Sequence, residues 1–526
     1  MRKYNFLALL AALLLGFGLL VSCGDDDDDD DSSGDDTLND DADDTTGDDD
    51  NDADDDTGDD DNDDDSGDDD DAFPDDYVAP WPQSNIEIQD YDEAVAAGPM
   101  RFKAAEYDQF NVDWFHPYYG GMVGKVIFSD ENLTEPVDYG WWGDSTAHTA
   151  IYLASQAMRY YVTGDPEAKA NAVNSIEALE RHLRVTGRSG FLGRYVAPQD
   201  SLHYINKGGD AWCDTIPWCH HIEDGEYAGD FWEGETSRDM YVCWFMGMAT
   251  AFDLIDDPDV HDKIQAMVTE VLDELMAHHW FIIDVTGLPS MTAPNAFALQ
   301  KLCWALIGYH ITGEDRYKAE VQEWIADSRR PLLRLINVSF NLRYGAYFPI
   351  HLSHQVMYPL LRLAKAYLSP EDHDYLVELF ETQTHTFARL SHNPFFNLIF
   401  MSQGRYDPVE SEYLAQLEQD LSEFREPPLT EYYVDPTDTA IDPVSVLLVE
   451  LIELYPFLED VFGVIEIQSL EAHPVQEQCT TDFLWQRNPF RVEPCGADHP
   501  KKAMNGTDYI LAYWMASYYK FVSKED

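Results

Sequence analysis

The stretch DMYVCWFMGMATAFDLI (239–255) carries apolar residues on every face of a helix, and so does FALQKLCWALIGY (297–309). TAIYLASQAMRYY (149–161) has the same character more weakly. A helix apolar all round is buried all round, so it needs neighbours on every side. Between these segments come helices with a single apolar stripe. Ile264, Met267, Val268, Val271, Leu272 and Leu275 follow the i, i+3, i+4 rule, as do Val173, Ile176, Leu179 and Leu183 earlier. The links are short and alike. YYVTGDPEA (160–168) and YHITGEDRY (309–317) both run Tyr, two residues, Thr-Gly, acid. Gly suits the left-handed end of one helix and the acid suits the first turn of the next. DLIDDPDV (253–260) and AYLSPEDHDY (366–375) place Pro where a helix start tolerates it.

Buried helix, tight turn, amphipathic helix, repeated along the chain, describes stacked helical hairpins. Further buried helices are expected near 352–367, 395–403 and 507–521, with outer ones near 371–390, 408–424 and 443–457. About twelve helices in six pairs predict an all-α domain over 77–526, closed as an (α/α)6 toroid; an open solenoid is the alternative. No strong strand signal competes over most of this length.

The first 76 residues are of another kind. MRKYNFLALLAALLLGFGLLVSC has a basic start, an apolar stretch and a Cys after small residues. Residues 1–22 resemble a bacterial lipoprotein signal peptide, which implies lipid on Cys23, a membrane partner through that lipid, and an outer-membrane location facing the periplasm or the cell surface. A plain transmembrane anchor is the competing reading. Residues 25–76 hold 32 Asp and no Lys or Arg. Such a run buries nothing and repels itself, so 23–76 reads as a disordered acidic tether. Its Asp clusters invite weak, diffuse Ca2+ association, but their spacing is not that of an EF-hand loop. No other cofactor is implied.

The remaining 450 residues carry 30 basic and 69 acidic side chains, a net of −39 that argues against a nucleic-acid partner. Cys213 and Cys219, and likewise Cys479 and Cys495, are spaced for local disulfides in an oxidising setting. Zinc on Cys213, Cys219, His220 and His221 is the alternative, although the separations match no standard module. Cys243 and Cys303 read as buried thiols.

Two stretches look like copies: WWGDSTAHTAIY (141–152) and WEGETSRDMYVCW (232–244). Each opens a buried helix with an acid, two hydroxyl residues and a polar residue four places after the acid. The order of the hairpins, the YxxTG[DE] turns and these acid-led helices together resemble the six-hairpin glycosidase-like superfamily over roughly 95–520. SRDMYVCWFMGMATAF resembles the helix that carries the catalytic acid in hydrolases of unsaturated uronyl sugars, which matches Asp239 to that acid. The resemblance implies that all inner helices begin at one face. Their starts offer Asp144 and His148; Glu235, Arg238 and Asp239; Asn295; His351 and His354; Asn393 and Asn397; and Asp508.

Glycoside hydrolysis needs one carboxyl to protonate the leaving group and one to activate water. Asp239 with Asp144 or Glu235 meets that need. Trp141, Trp142, Phe231 and Trp232 are candidate platforms for a sugar ring. Other readings stand beside these. Asp144, Glu235 and Asn295 are also good helix caps, the histidines suit a satisfied core, and the aromatics suit staples at helix starts. His351 and His354 lie at metal-ligand spacing, but no third ligand is visible, so no metal is expected. A lyase would use Tyr241 or His354 as base with Arg238. The leading expectation is a carbohydrate-active hydrolase with a polysaccharide or oligosaccharide substrate. A lyase, a non-catalytic glycan-binding lipoprotein and a purely structural protein are the alternatives.

Overall fold

The computed structural model describes residues 98–290, 297–335, 344, 347–404, 413–436, 439–458, 465–480 and 488–522. The signal-peptide and tether segments, Cys23 and Asn295 lie outside them. The described chain is mostly helical with two small sheets.

The chain begins with α1 (Pro99–Trp114), β1 (Lys125–Phe128) and β2 (Pro136–Gly140). The first buried helix, α2 (Ser145–Thr163), is followed by the amphipathic α3 (Pro166–Arg184). Strands β3 (Tyr195–Pro198), β4 (Cys219–His221) and β5 (Asp230–Glu233) come next. Three inner–outer pairs follow: α4 (Arg238–Leu254) with α5 (Pro258–Ala277), α6 (Ala298–Thr312) with α7 (Asp315–Ile325), and α8 (Phe348–Tyr367) with α9 (Pro370–Leu379). The chain ends with α10 (Pro394–Ser402), α11 (Tyr413–Glu423), β6 (Leu429–Glu431), α12 (Pro443–Leu454), β7 (His499–Met504) and α13 (Thr507–Tyr518).

The repeated turns work as their residues dictate. Gly164 and Gly313 are left-handed (φ 69° and 68°) and return their N–H groups to Tyr160 and Tyr309. Asp165, Asp257 and Ser369 cap the helices that follow, each with Pro at the first helical position. Glu314 makes no cap and instead pairs with Arg316. The turns fold α3, α5, α7 and α9 back on α2, α4, α6 and α8, and α11 lies against α10. Among the inner set, α2 packs on α4 and α13, α4 and α6 on α8, and α10 on α8 and α13. Gly247 is what lets α2 and α4 come close: a Cβ there would sit 2.5 Å from the Ala150 carbonyl oxygen.

Two expectations are corrected. The outer partner of α13 is α1 and not the 443–457 helix. Tyr107 meets Tyr509 with ring centroids 5.5 Å apart, and Trp514 Nε1 donates to Asp108 Oδ2 at 3.1 Å. In α12 only Ser445 is buried, while Val444, Leu447 and Leu454 are exposed. The strands are the second correction: β2-β1-β7-β6 and β3-β5-β4 form antiparallel sheets. Each strand is only three to six residues long. That is too short for an alternating pattern to rise above the helical background. Strands β2, β5 and β7 each deliver the chain to the start of an inner helix: α2, α4 and α13.

Cys213 is disulfide-bonded to Cys219 and Cys479 to Cys495, and Cys243 and Cys303 are buried free thiols. Among the described residues no helix is long and apolar enough to cross a membrane.

Candidate active site

The two matching stretches meet at one cation. Asp144 stands at the N-cap position of α2 but makes no cap; its Oδ1 accepts a 2.7 Å hydrogen bond from Arg194 Nη2. Arg194 Nε donates to the Gly143 carbonyl at 2.7 Å, and Nη1 to the Glu235 carbonyl at 3.2 Å. The Arg194 backbone is held as firmly, its N–H on Glu233 O and its carbonyl on Thr146 N–H. One guanidinium therefore ties the start of α2 to the loop that leads into α4. Burial works against its charge, but the carboxylates of Asp144 and Asp239 outweigh burial and hold the positive charge on.

These acids sit in different environments. Asp239, the second residue of α4, is half-buried and hydrogen-bonds to nothing among the described residues. Glu235 is exposed in left-handed backbone (φ 50°), and its carbonyl, not its carboxylate, meets Arg194. Glu233, the last residue of β5, is 5% exposed. Burial pushes its carboxyl up to about 8; Arg194 and Lys207 pull against that, and Glu235 and Asp144 add to it. At neutral pH Glu233 thus keeps its proton in a neighbourhood that holds an arginine-bound carboxylate. The sequence comparison passed over Glu233 because aligning WEGETS with WWGDST sets it opposite Trp142. The available signal was an acid at each end of a short stretch with an aromatic middle, DFWE.

Deeper in, the inner-helix starts carry neutral polar groups. His148 Nδ1 accepts from Asn505 Nδ2 at 3.0 Å. His354 bonds the Ile350 carbonyl through Nδ1 at 2.8 Å and stacks on Phe396 at 3.9 Å. Burial lowers His148, His351 and His354 each to about 3, and His351 also feels His354 and His148. Cys243 Sγ meets Gln355 Oε1 at 3.1 Å. Buried, unpartnered polar atoms remain here, including both side-chain atoms of the Asn397 amide and His354 Nε2. Asn393 caps α10 through the Phe396 N–H, and Asp508 is buried in the first turn of α13.

The other expected residues are scattered. The Tyr241 hydroxyl donates to the Gly190 carbonyl at 2.9 Å and accepts from Leu192 N–H, which occupies it with backbone. The Arg238 guanidinium lies 3.7 Å from the Phe297 ring centroid. Trp232 is buried under His220, with rings stacked at 4.2 Å, and Phe231 is fully buried. Lys125 covers Trp141 at 3.6 Å. Trp142 is half-buried and packs with Tyr195, His203 and Trp212. Among the described residues no cluster of three metal-ligating side chains forms, and the disulfide withholds Cys213 and Cys219 as thiolate ligands.

No family model, curated protein or solved structure matches this chain.

Proposed function

We propose that the chain is a carbohydrate-active hydrolase of the six-hairpin glycosidase-like kind, an (α/α)6 toroid held at a bacterial outer membrane by lipid on Cys23. The sequential packing α2–α4–α6–α8–α10–α13–α2, with an outer helix behind each, supports the toroid. The protonated Glu233 beside the Arg194-held Asp144 carries the functional reading. Glu233 is the acid that protonates the glycosidic oxygen as the bond to the sugar breaks. Asp239, half-buried and with no side-chain hydrogen-bond partner among the described residues, is the base that takes a proton from the attacking water. Arg194 and Asp144 position the two helix starts. Asp144 is the poorer base because its charge is already engaged. The half-buried Trp142 supplies an aromatic edge for the substrate.

The test is release of reducing ends from a panel of polysaccharides and oligosaccharides by the full chain. Glu233→Gln and Asp239→Asn each lower kcat by roughly 10²–10⁴-fold on a turned-over substrate, and neither lowers thermal melting. Wild-type kcat falls as pH rises through about 8, because Glu233 loses its proton. Turnover that survives Glu233→Gln removes the assignment. An unsaturated product instead of a hydrolysed one selects the lyase, and binding without turnover selects the glycan-binding reading.

A further inference from the structure

Away from the Arg194 cluster, a cavity of about 340 Å³ opens beside the start of α10, lined by Thr386, Arg389, Leu390, His392, Gln416, Leu470, Glu471, Ala472 and Phe490. One wall is a buried polar network. Asp420 is fully buried, and its Oδ1 accepts from His392 Nδ1 at 2.8 Å and from Gln416 Nε2 at 2.7 Å. His392 Nδ1 lies 2.8 Å from both Asp420 Oδ1 and Gln416 Nε2, so Nε2 is the ring nitrogen left for a ligand. His392 holds this pose in left-handed backbone (φ 51°), a conformation uncommon outside glycine that surrounding contacts must enforce. Arg389 is exposed and makes no ion pair among the described residues. The lining also has apolar members, Phe490 buried and Leu390 and Leu470 exposed (67% and 52%).

We propose that this cavity is a binding site for a small organic carboxylate with an apolar body, the carboxylate received by His392 Nε2–H and Arg389 and the body lying on Leu390, Leu470, Ala472 and Phe490. Basic groups outnumber acids on the lining: Arg389 and His392 face a single acid, Glu471. In a chain of net charge −69, that local balance is the exception. The volume falls within the usual range for small-molecule sites.

The charged and titratable groups around His392 are Asp420 and Glu423 from α11, Arg389 on the preceding segment, and Glu471 and His473 on the C-terminal loop. The hydrogen bond to Asp420 raises the imidazole above its usual value, burial opposes this, and the charges of Asp420 and Glu423 add to it. The cationic form thus persists toward neutral pH, and carboxylate binding weakens as pH rises past it.

Calorimetric titration of the full chain with phenylacetate and with hexanoate, at pH 6 and pH 8.5, tests the site. Phenylacetamide is the neutral control. Expected are binding of at least one acid at pH 6, a loss of tenfold or more at pH 8.5, and no binding of the amide. Arg389→Gln, at an exposed position, weakens the acid tenfold or more. His392→Asn does the same, because Asn tolerates the left-handed backbone but removes the imidazole. Equal binding of acid and amide, unchanged affinity in Arg389→Gln, or no binding of either acid at millimolar concentration overturns the proposal. None of these outcomes depends on the hydrolase reading.

Discussion

The inner helices carry buried charge at both ends, and the two ends treat it oppositely. Near the C-terminal ends of α4, α6 and α8, Asp253 is fully buried, with Arg362 on one oxygen and His310 on the other. His310 in turn meets the Tyr367 hydroxyl at 2.8 Å. Burial alone would raise Asp253, but Arg362 and His310 outweigh it and hold the carboxylate below its usual range. At the N-terminal ends of α2 and α4, Arg194 is shared among several acids, and the Glu233 carboxyl is left protonated and without a hydrogen bond among the described residues. A carboxylate whose partners match it supports the fold. One left over from an incomplete match has a proton to give.

The comparison breaks most visibly at Asp253. Asp253→Ala strands the Arg362 charge in the core and lowers the unfolding free energy by roughly 3–5 kcal/mol in denaturant titrations. Activity per folded molecule stays near wild type. Equal loss of activity and stability would place Asp253 in the chemistry as well.

The two ends also differ in the sign of their pH dependence. A depressed carboxyl contributes stability above its unfolded value, lost as pH falls through the folded one, so the Asp253 network weakens below roughly pH 4. A raised carboxyl does the reverse. Between roughly pH 4.5 and 8 the folded protein binds the Glu233 proton more tightly than the unfolded chain, so stability declines across that window as pH rises. Glu233→Gln removes this decline. Relative to wild type it gains on the order of 3 kcal/mol at pH 8 and little at pH 5, read from paired denaturation curves. A gain independent of pH would mean that Glu233 is ionised throughout.

The smallest effect is at Gly247. Gly247→Ala drives a methyl into the Ala150 carbonyl and parts α2 from α4, at a cost of about 1–2 kcal/mol. It also loosens the Arg194 bridge between the two helix starts, so kcat falls while melting drops by only a few degrees. Wild-type kcat in this variant would show that the spacing of α2 and α4 does not tune the site.

Much of the scaffold was legible beforehand. Wholly apolar and striped helices announce which elements lie inside and which outside, because burial acts on each helix through its own residues. The Thr-Gly-acid turn is equally local: Gly164 and Asp165 settle a helix end and a helix start within a few residues. The outer partner of α13 was not legible, since α1 joins it from about 400 residues away, through Tyr107 on Tyr509 and Asp108 on Trp514. The short strands were hidden for a different reason: at three to six residues they are too brief for alternation to show, even where β1 pairs with the adjacent β2 and β4 with the adjacent β5.

Within the candidate site, the sequence marked Asp144, Glu235 and Asp239 as a group by their residue types and spacing. Which acid keeps its proton was decided by tertiary structure alone. Glu233 is raised by the burial that β3 and β4 impose on β5, and Asp144 is engaged by Arg194, fifty residues further along the chain. Capping and periodicity are properties of neighbouring residues, and a sequence states them directly. Desolvation and charge balance sum over everything within several ångströms, and only the folded chain determines what that is.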